Sequence, residues 1–215
     1  MNTVPHVEVF EVGPLAENAY LVADRESGDA VLVDPGDEAD RLIEAIEGAG
    51  VTLRGIWLTH AHFDHIGAVA AVRRRYGVTV WLHEADLPLF LAGPQQGAAW
   101  GLHVEGDQLP TGRFVEGQEL DLGRHRFTVW HTPGHSPGHV TIHGGGIALA
   151  GDCLFAGSVG RSDLPLADPA ALDRSLRRIA QLPPATRVLP GHGPDTTIGR
   201  ERASNPFLRH LGIQG

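Results

Sequence analysis

Apolar and polar positions change their period several times along the chain. Residues 7–12 alternate, 19–23 and 30–33 are apolar runs, and the last ends in the turn signal Asp34-Pro35-Gly36. This pattern predicts antiparallel strands over the first 35 residues. Helical spacing follows at Leu42, Ile43 and Ile46, stopped by Gly48 and Gly50. A short apolar strand at 56–58 runs straight into a polar cluster at 60–65. Beyond it Ile66, Val69, Val72 and Tyr76 mark a helix with Gly77 as its C-cap, and 78–82 reads as another strand.

From 84 to 108 the signal is weak, with one or two helices at most. Strands are predicted near 113–115, 119–122, 125–130, 139–143 and 147–150. Asp168-Pro169 opens a helix with the apolar stripe Leu172, Leu176 and Ile179, followed by a strand at 187–189 and a helix over 196–204. Strand-rich halves separated by helices predict sheets covered by helices on their outer faces. The 28 glycines and 15 prolines are spread evenly, and neither a repeat nor a linker interrupts the 215 residues, so one domain over 1–215 is expected.

Charge removes several function classes. There are 26 acidic and 17 basic residues, the latter all arginine, and the net charge of −9 argues against a nucleic-acid partner. One cysteine excludes an internal disulfide and a thiolate-rich structural zinc site. No run approaches the roughly 18 apolar residues of a membrane span. Before Arg25 the N-terminus carries Glu8 and Glu11 but no basic residue, unlike a signal peptide, so a soluble cytoplasmic protein is expected. Thirteen histidines are left to explain.

Five of them fall into a pattern. Thr59-His60-Ala61-His62-Phe63-Asp64-His65 places four potential metal ligands in six residues directly after a strand. Two residues apart in an extended segment, His60 and His62 point the same way and can share one ion, while Asp64 and His65 can reach a second. Imidazole and carboxylate donors suit zinc, iron or manganese rather than calcium or magnesium. Three further strand ends carry matching residues: Thr132-Pro-Gly-His135, Gly151-Asp152 and Pro190-Gly-His192-Gly193.

The ordered set His-x-His-x-Asp-His, Pro-Gly-His, Gly-Asp and Gly-His-Gly resembles the metallo-β-lactamase superfamily over nearly the whole chain. The resemblance implies an α+β fold, an αββα four-layer sandwich with two metals at the edge of its sheets. It implies His60, His62 and His135 on one ion, Asp64, His65 and His192 on the other, and Asp152 bridging them. Zinc is the leading expectation, with iron and manganese as alternatives. Within the superfamily, three stretches resemble glyoxalase II and its shorter bacterial relatives: 132–139, 151–165 and Asn205-Pro-Phe-Leu208. That match implies hydrolysis of a small-molecule thioester, such as S-lactoylglutathione, by a metal-bridging hydroxide, with Asp64 and Asp152 as catalytic residues.

Full-length glyoxalase II resembles this chain plus a C-terminal helical domain that grips glutathione. Only 23 residues follow His192, so no such domain is expected, and without lysine a carboxylate clamp must come from arginine or backbone. Arg161 and Asp163, in the loop beyond Asp152, either meet a substrate or form a salt bridge holding that loop. Asp34 and His139 are candidate partners of the ligands, with turn capping and a structural role as their alternatives. Cys153 is expected to be buried and inert, and the other histidines to be strand, loop or surface residues. Two rival activities share these motifs. One is a persulfide dioxygenase with a single iron on His60, His135 and Asp152; the other is a lactonase.

Overall fold

A computed structural model describes residues 4–213, and its two halves repeat one plan. Strands β1 (His6–Val12), β2 (Glu17–Ala23), β3 (Asp29–Val33), β4 (Thr52–Trp57), β5 (Thr79–His83) and β6 (Gly112–Phe114) form the first sheet in chain order. The first three pair antiparallel and β3 to β6 parallel. Parallel neighbours require crossovers. These hold α1 (Ala39–Ala49), then α2 (Val69–Tyr76), then the pair α3 (Leu87–Leu91) and α4 (Gly93–Ala99).

The second sheet contains β7 (Glu119–Leu122), β8 (His125–His131), β9 (Val140–Gly144) and β10 (Ile147–Gly151). A small hairpin of β11 (Leu154–Phe155) and β12 (Ser158–Val159) follows, then α5 (Pro169–Ile179). The chain returns through β13 (Arg187–Pro190), parallel to β10, and closes with β14 (Thr196–Thr197), α6 (Ile198–Ser204) and α7 (Pro206–His210). This sheet runs in the order β14-β13-β10-β9-β8-β7.

Strand alternation sorts the apolar residues into three packed layers. Tyr20, Val22, Val31 and Val33 face Phe127, Val129, Ile142, Ile147 and Leu149 between the sheets. On the outer face of the first sheet, Leu21 and Leu32 pack with Leu42 and Ile46 of α1 and Val69 and Val72 of α2. On the outer face of the second, Ala148, Ala150 and Val188 pack with Leu172, Leu176 and Ile179 of α5. The layers therefore run helix, sheet, sheet, helix, the αββα sandwich expected. Among the described residues no helix is long and apolar enough to cross a membrane.

Some boundaries move. β4 starts at Thr52 rather than near 56, because alternation across Arg54 and Gly55 hides its first half. The helix expected from Ile66 begins at Val69, since Phe63–His65 forms a 3-10 turn first. Thr196 and Thr197 pair with β13, and the Thr197 side chain then caps α6 by accepting from the Arg200 N–H at 3.2 Å.

Candidate metal centre

The C-terminal ends of β3, β4 and β5 in one sheet and of β8, β10 and β13 in the other meet at one edge of the sandwich. β4 delivers His60, His62, Asp64 and His65; β8 leads to His135, β10 to Asp152 and β13 to His192. Three overlapping sets of three donors result among the described residues, the ligand atoms in each lying within 4.8 Å of one another: His60, His62 and His135; Asp64, His65 and His192; and Asp34, His60 and His65, which joins the first two from behind. Asp152 stands between the first two. Its Oδ2 is 3.4 Å from His135 Nε2 and 3.7 Å from His192 Nε2, and its Oδ1 is 3.5 Å from His65 Nε2. Asp64 Oδ2 is 3.3 Å from His192 Nε2.

Hydrogen bonds on the far side of His65, His135 and His192 determine which nitrogen faces inward, whereas His62 turns its Nδ1 to His135 Nε2 at 2.8 Å. His135 Nδ1 donates to the Arg161 carbonyl at 2.8 Å and His192 Nδ1 to that of Leu15 at 3.1 Å, leaving both Nε2 lone pairs for the centre. His65 Nδ1 donates to Asp34 Oδ2 at 3.2 Å. Asp34 also accepts from the Thr59 N–H at 2.7 Å and hydroxyl at 2.6 Å, so it braces the ligand segment from behind. It does so from a left-handed backbone, φ 46°, which a short polar side chain tolerates. His139 Nε2 accepts from the Asp152 N–H at 3.1 Å, so this ring positions the shared carboxylate through its backbone. Gly191 leaves room for the same group: a Cβ there would overlap Asp152 Oδ1 and fall 2.7 Å from His65 Cε1.

Electrostatics favour the metal-binding form of His60, His62 and the two aspartates. Burial, reinforced by neighbouring imidazoles, pushes His60 well below its ordinary value, His62 to about 4 and His139 to about 3. Burial would raise Asp64 and Asp152, but His65 and the other facing imidazoles outweigh it and hold both below the usual carboxylate range. The same pairing raises His65 and His192 against the opposing effect of burial. Three donors aimed inward, His60 Nε2, His65 Nε2 and Asp152 Oδ1, are buried without any hydrogen-bond partner. Such atoms are costly to leave unmet, by about 1–3 kcal/mol each. A divalent cation in each of the first two sets satisfies them, so the donor chemistry fits two metals.

Two carboxylates that the motifs did not reveal complete the centre. Asp86, just past β5, accepts from the Ala61 N–H at 3.0 Å, the Ser136 hydroxyl at 2.7 Å and the Gly138 N–H at 2.5 Å. One buried group thus ties the His60–His62 segment to the loop of His135. The available signal was its place, an acid following a strand as Asp34 follows β3. Glu17 is 1% exposed, with Oε1 3.5 Å from His65 Nδ1. Of the two loop residues, Arg161 lines the cavity above the centre, whereas Asp163 lies outside that lining and pairs with Arg161 at 2.9 and 3.0 Å. Cys153 is fully buried in the layer beneath α5.

The cavity has a volume of about 490 Å³, and its floor is His62, Asp64, His135, Asp152 and His192. Comparison with known proteins agrees with this architecture. The family model of the metallo-beta-lactamase superfamily matches residues 12–192. The chain is 39% identical to hydroxyacylglutathione hydrolase GloC of Haemophilus influenzae, over 94% of this chain and 98% of that one. The di-iron-bound crystal structure of TTHA1623 superposes with TM-score 0.88 at 50% identity, covering 94% of this chain and all of the other. BLEG-1 B3 metallo-beta-lactamase gives the same TM-score at 38% identity, covering 94% and 99%.

Proposed function

The chain belongs to the metallo-beta-lactamase superfamily as a metal-dependent hydrolase, and from that premise we propose that it hydrolyses acyl thioesters at a dinuclear centre. His60, His62 and His135 would hold one ion and Asp64, His65 and His192 the other, with Asp152 standing between the two sets. Zinc is the first choice for these donors, with iron and manganese accepted by the same set. Bound there, the metals supply a Lewis acid for the carbonyl and lower the pKa of a shared water to near neutrality. Asp64 and Asp152 keep their negative charge on the cavity floor, where the substrate carbonyl arrives. His139, Asp34 and Asp86 keep the ligands in place.

The observation that favours a thioester is the cavity lining. Apart from the proposed ligands, the only ionisable side chain lining it among the described residues is Arg161, which is no acid at neutral pH. A thiolate, with a pKa of about 8.5, departs without a strong general acid. GloC, with 39% identity, supports a glutathione-linked thioester, for which Arg161 can meet a carboxylate of the carrier. A mononuclear dioxygenase centre would need only His60, His135 and Asp152, whereas the second donor set is also assembled.

Protein reconstituted separately with zinc, iron and manganese tests this reading. S-lactoylglutathione is expected to be cleaved with two ions bound per chain. One iron per chain, with oxygen uptake on glutathione persulfide, would overturn it. Turnover of acyl-homoserine lactones without any thioester cleavage would replace it with the lactonase.

A further inference from the structure

Above its polar floor the cavity is lined by apolar side chains from both halves of the molecule. Phe63, Leu89 and Trp100 come from the first half, Phe155, Leu164 and Pro165 from the second. No hydroxyl-bearing side chain lines it among the described residues. Two polar side chains stand in the walls, each with one partner. Gln96 Nε2 donates to the Leu89 carbonyl at 2.7 Å, and Arg161 forms an exposed pair with Asp163 at 2.9 and 3.0 Å. Trp100 is 59% exposed at the rim, its ring 6.0 Å from that of Phe63, an apolar surface that a bound ligand would cover.

Resting on the thioesterase reading, we propose that this cavity selects apolar acyl groups. Its substrate is a thioester of a medium-chain or aromatic acid rather than of a short hydroxy acid. An alkyl or aromatic group gains apolar contact along these walls, whereas beyond the floor a lactoyl hydroxyl meets only Gln96 and Arg161 as polar side chains. Each methylene of an alkyl chain instead removes apolar surface from water against Phe63, Leu89 and Trp100, improving binding about fourfold.

Two measurements test the proposal. The first is calorimetric binding of acetate, butanoate, hexanoate and octanoate to the zinc-loaded protein. The second is kcat/KM for the acetyl, butanoyl, hexanoyl and lactoyl thioesters of N-acetylcysteamine, a neutral thiol. Affinity and kcat/KM are expected to rise about fourfold per methylene up to hexanoyl, with the lactoyl ester below the butanoyl. Trp100→Ala and Leu164→Ala, at exposed and half-buried positions, should flatten both slopes. Chain-length independence, or a lactoyl thioester outrunning the hexanoyl, overturns the selection while thioester cleavage itself stands. If no thioester is cleaved yet octanoate still binds more tightly than acetate, the apolar selection stands and the thioesterase reading falls.

Discussion

The floor and the walls of the cavity are built by opposite means. The floor side chains lie in the segments that follow strand ends, and three are held from behind: His135 by the Arg161 carbonyl, His192 by that of Leu15, and Asp152 through its N–H by His139. The walls come largely from two short helices and an irregular loop, and their rim residue Trp100 is mostly in solvent. Rigid strand ends give the precision that paired metals demand. Short elements with few constraints can change composition without disturbing the fold, so substrate choice can drift while the chemistry stays.

Substitutions on either side should separate these roles, and the floor should give the largest loss. Asp152→Ala is expected to abolish hydrolysis and leave fewer than two metal ions per chain, with the far-ultraviolet circular dichroism of the wild type. Full turnover would break the shared-carboxylate assignment. Asp86→Ala comes next. It touches no proposed metal ligand side chain but frees the Ala61 and Gly138 amides, so metal affinity or activity should fall about 10–100-fold. Competition with a chelator reads this directly, and Asp86→Asn should recover part of it. Arg161→Ala should have the smallest effect. Its exposed pair with Asp163 contributes little to stability. KM for glutathione thioesters should rise several-fold with kcat nearly unchanged, which thermal melts and steady-state kinetics would check.

The same contrast decides what could be read from residues alone. His60, His62, Asp64 and His65 are close in the chain and follow an apolar strand, so their chemistry shows as a local pattern. Asp86 and Glu17 work through partners far away in sequence. A lone acid after a strand has no spacing to betray it, and Glu17 declares itself only when β2 is laid beside the loop of His192. The segment from 84 to 108 carries a weak signal for another reason. Leu87–Leu91 is too short for a periodic stripe, and Gly93–Ala99 is rich in small residues that carry no hydrophobic contrast. The helix-covered sheets were clear because β2, β3, β10 and α5 each keep an unbroken apolar pattern.

One contact also bears on the order in which the molecule is made. Asn18 Nδ2 donates to the carbonyls of Pro190 and Gly193, at 3.1 and 2.8 Å, and the Tyr20 hydroxyl donates to Pro190 at 2.7 Å. The strap that presents His192 is thus moored to a strand synthesised some 170 residues earlier. A nascent chain leaving the ribosome with its first sheet complete therefore carries only part of the second donor set, since synthesis runs from the N-terminus. On the dinuclear reading, the second donor set would be completed only when the chain is finished and β13 has closed against β2.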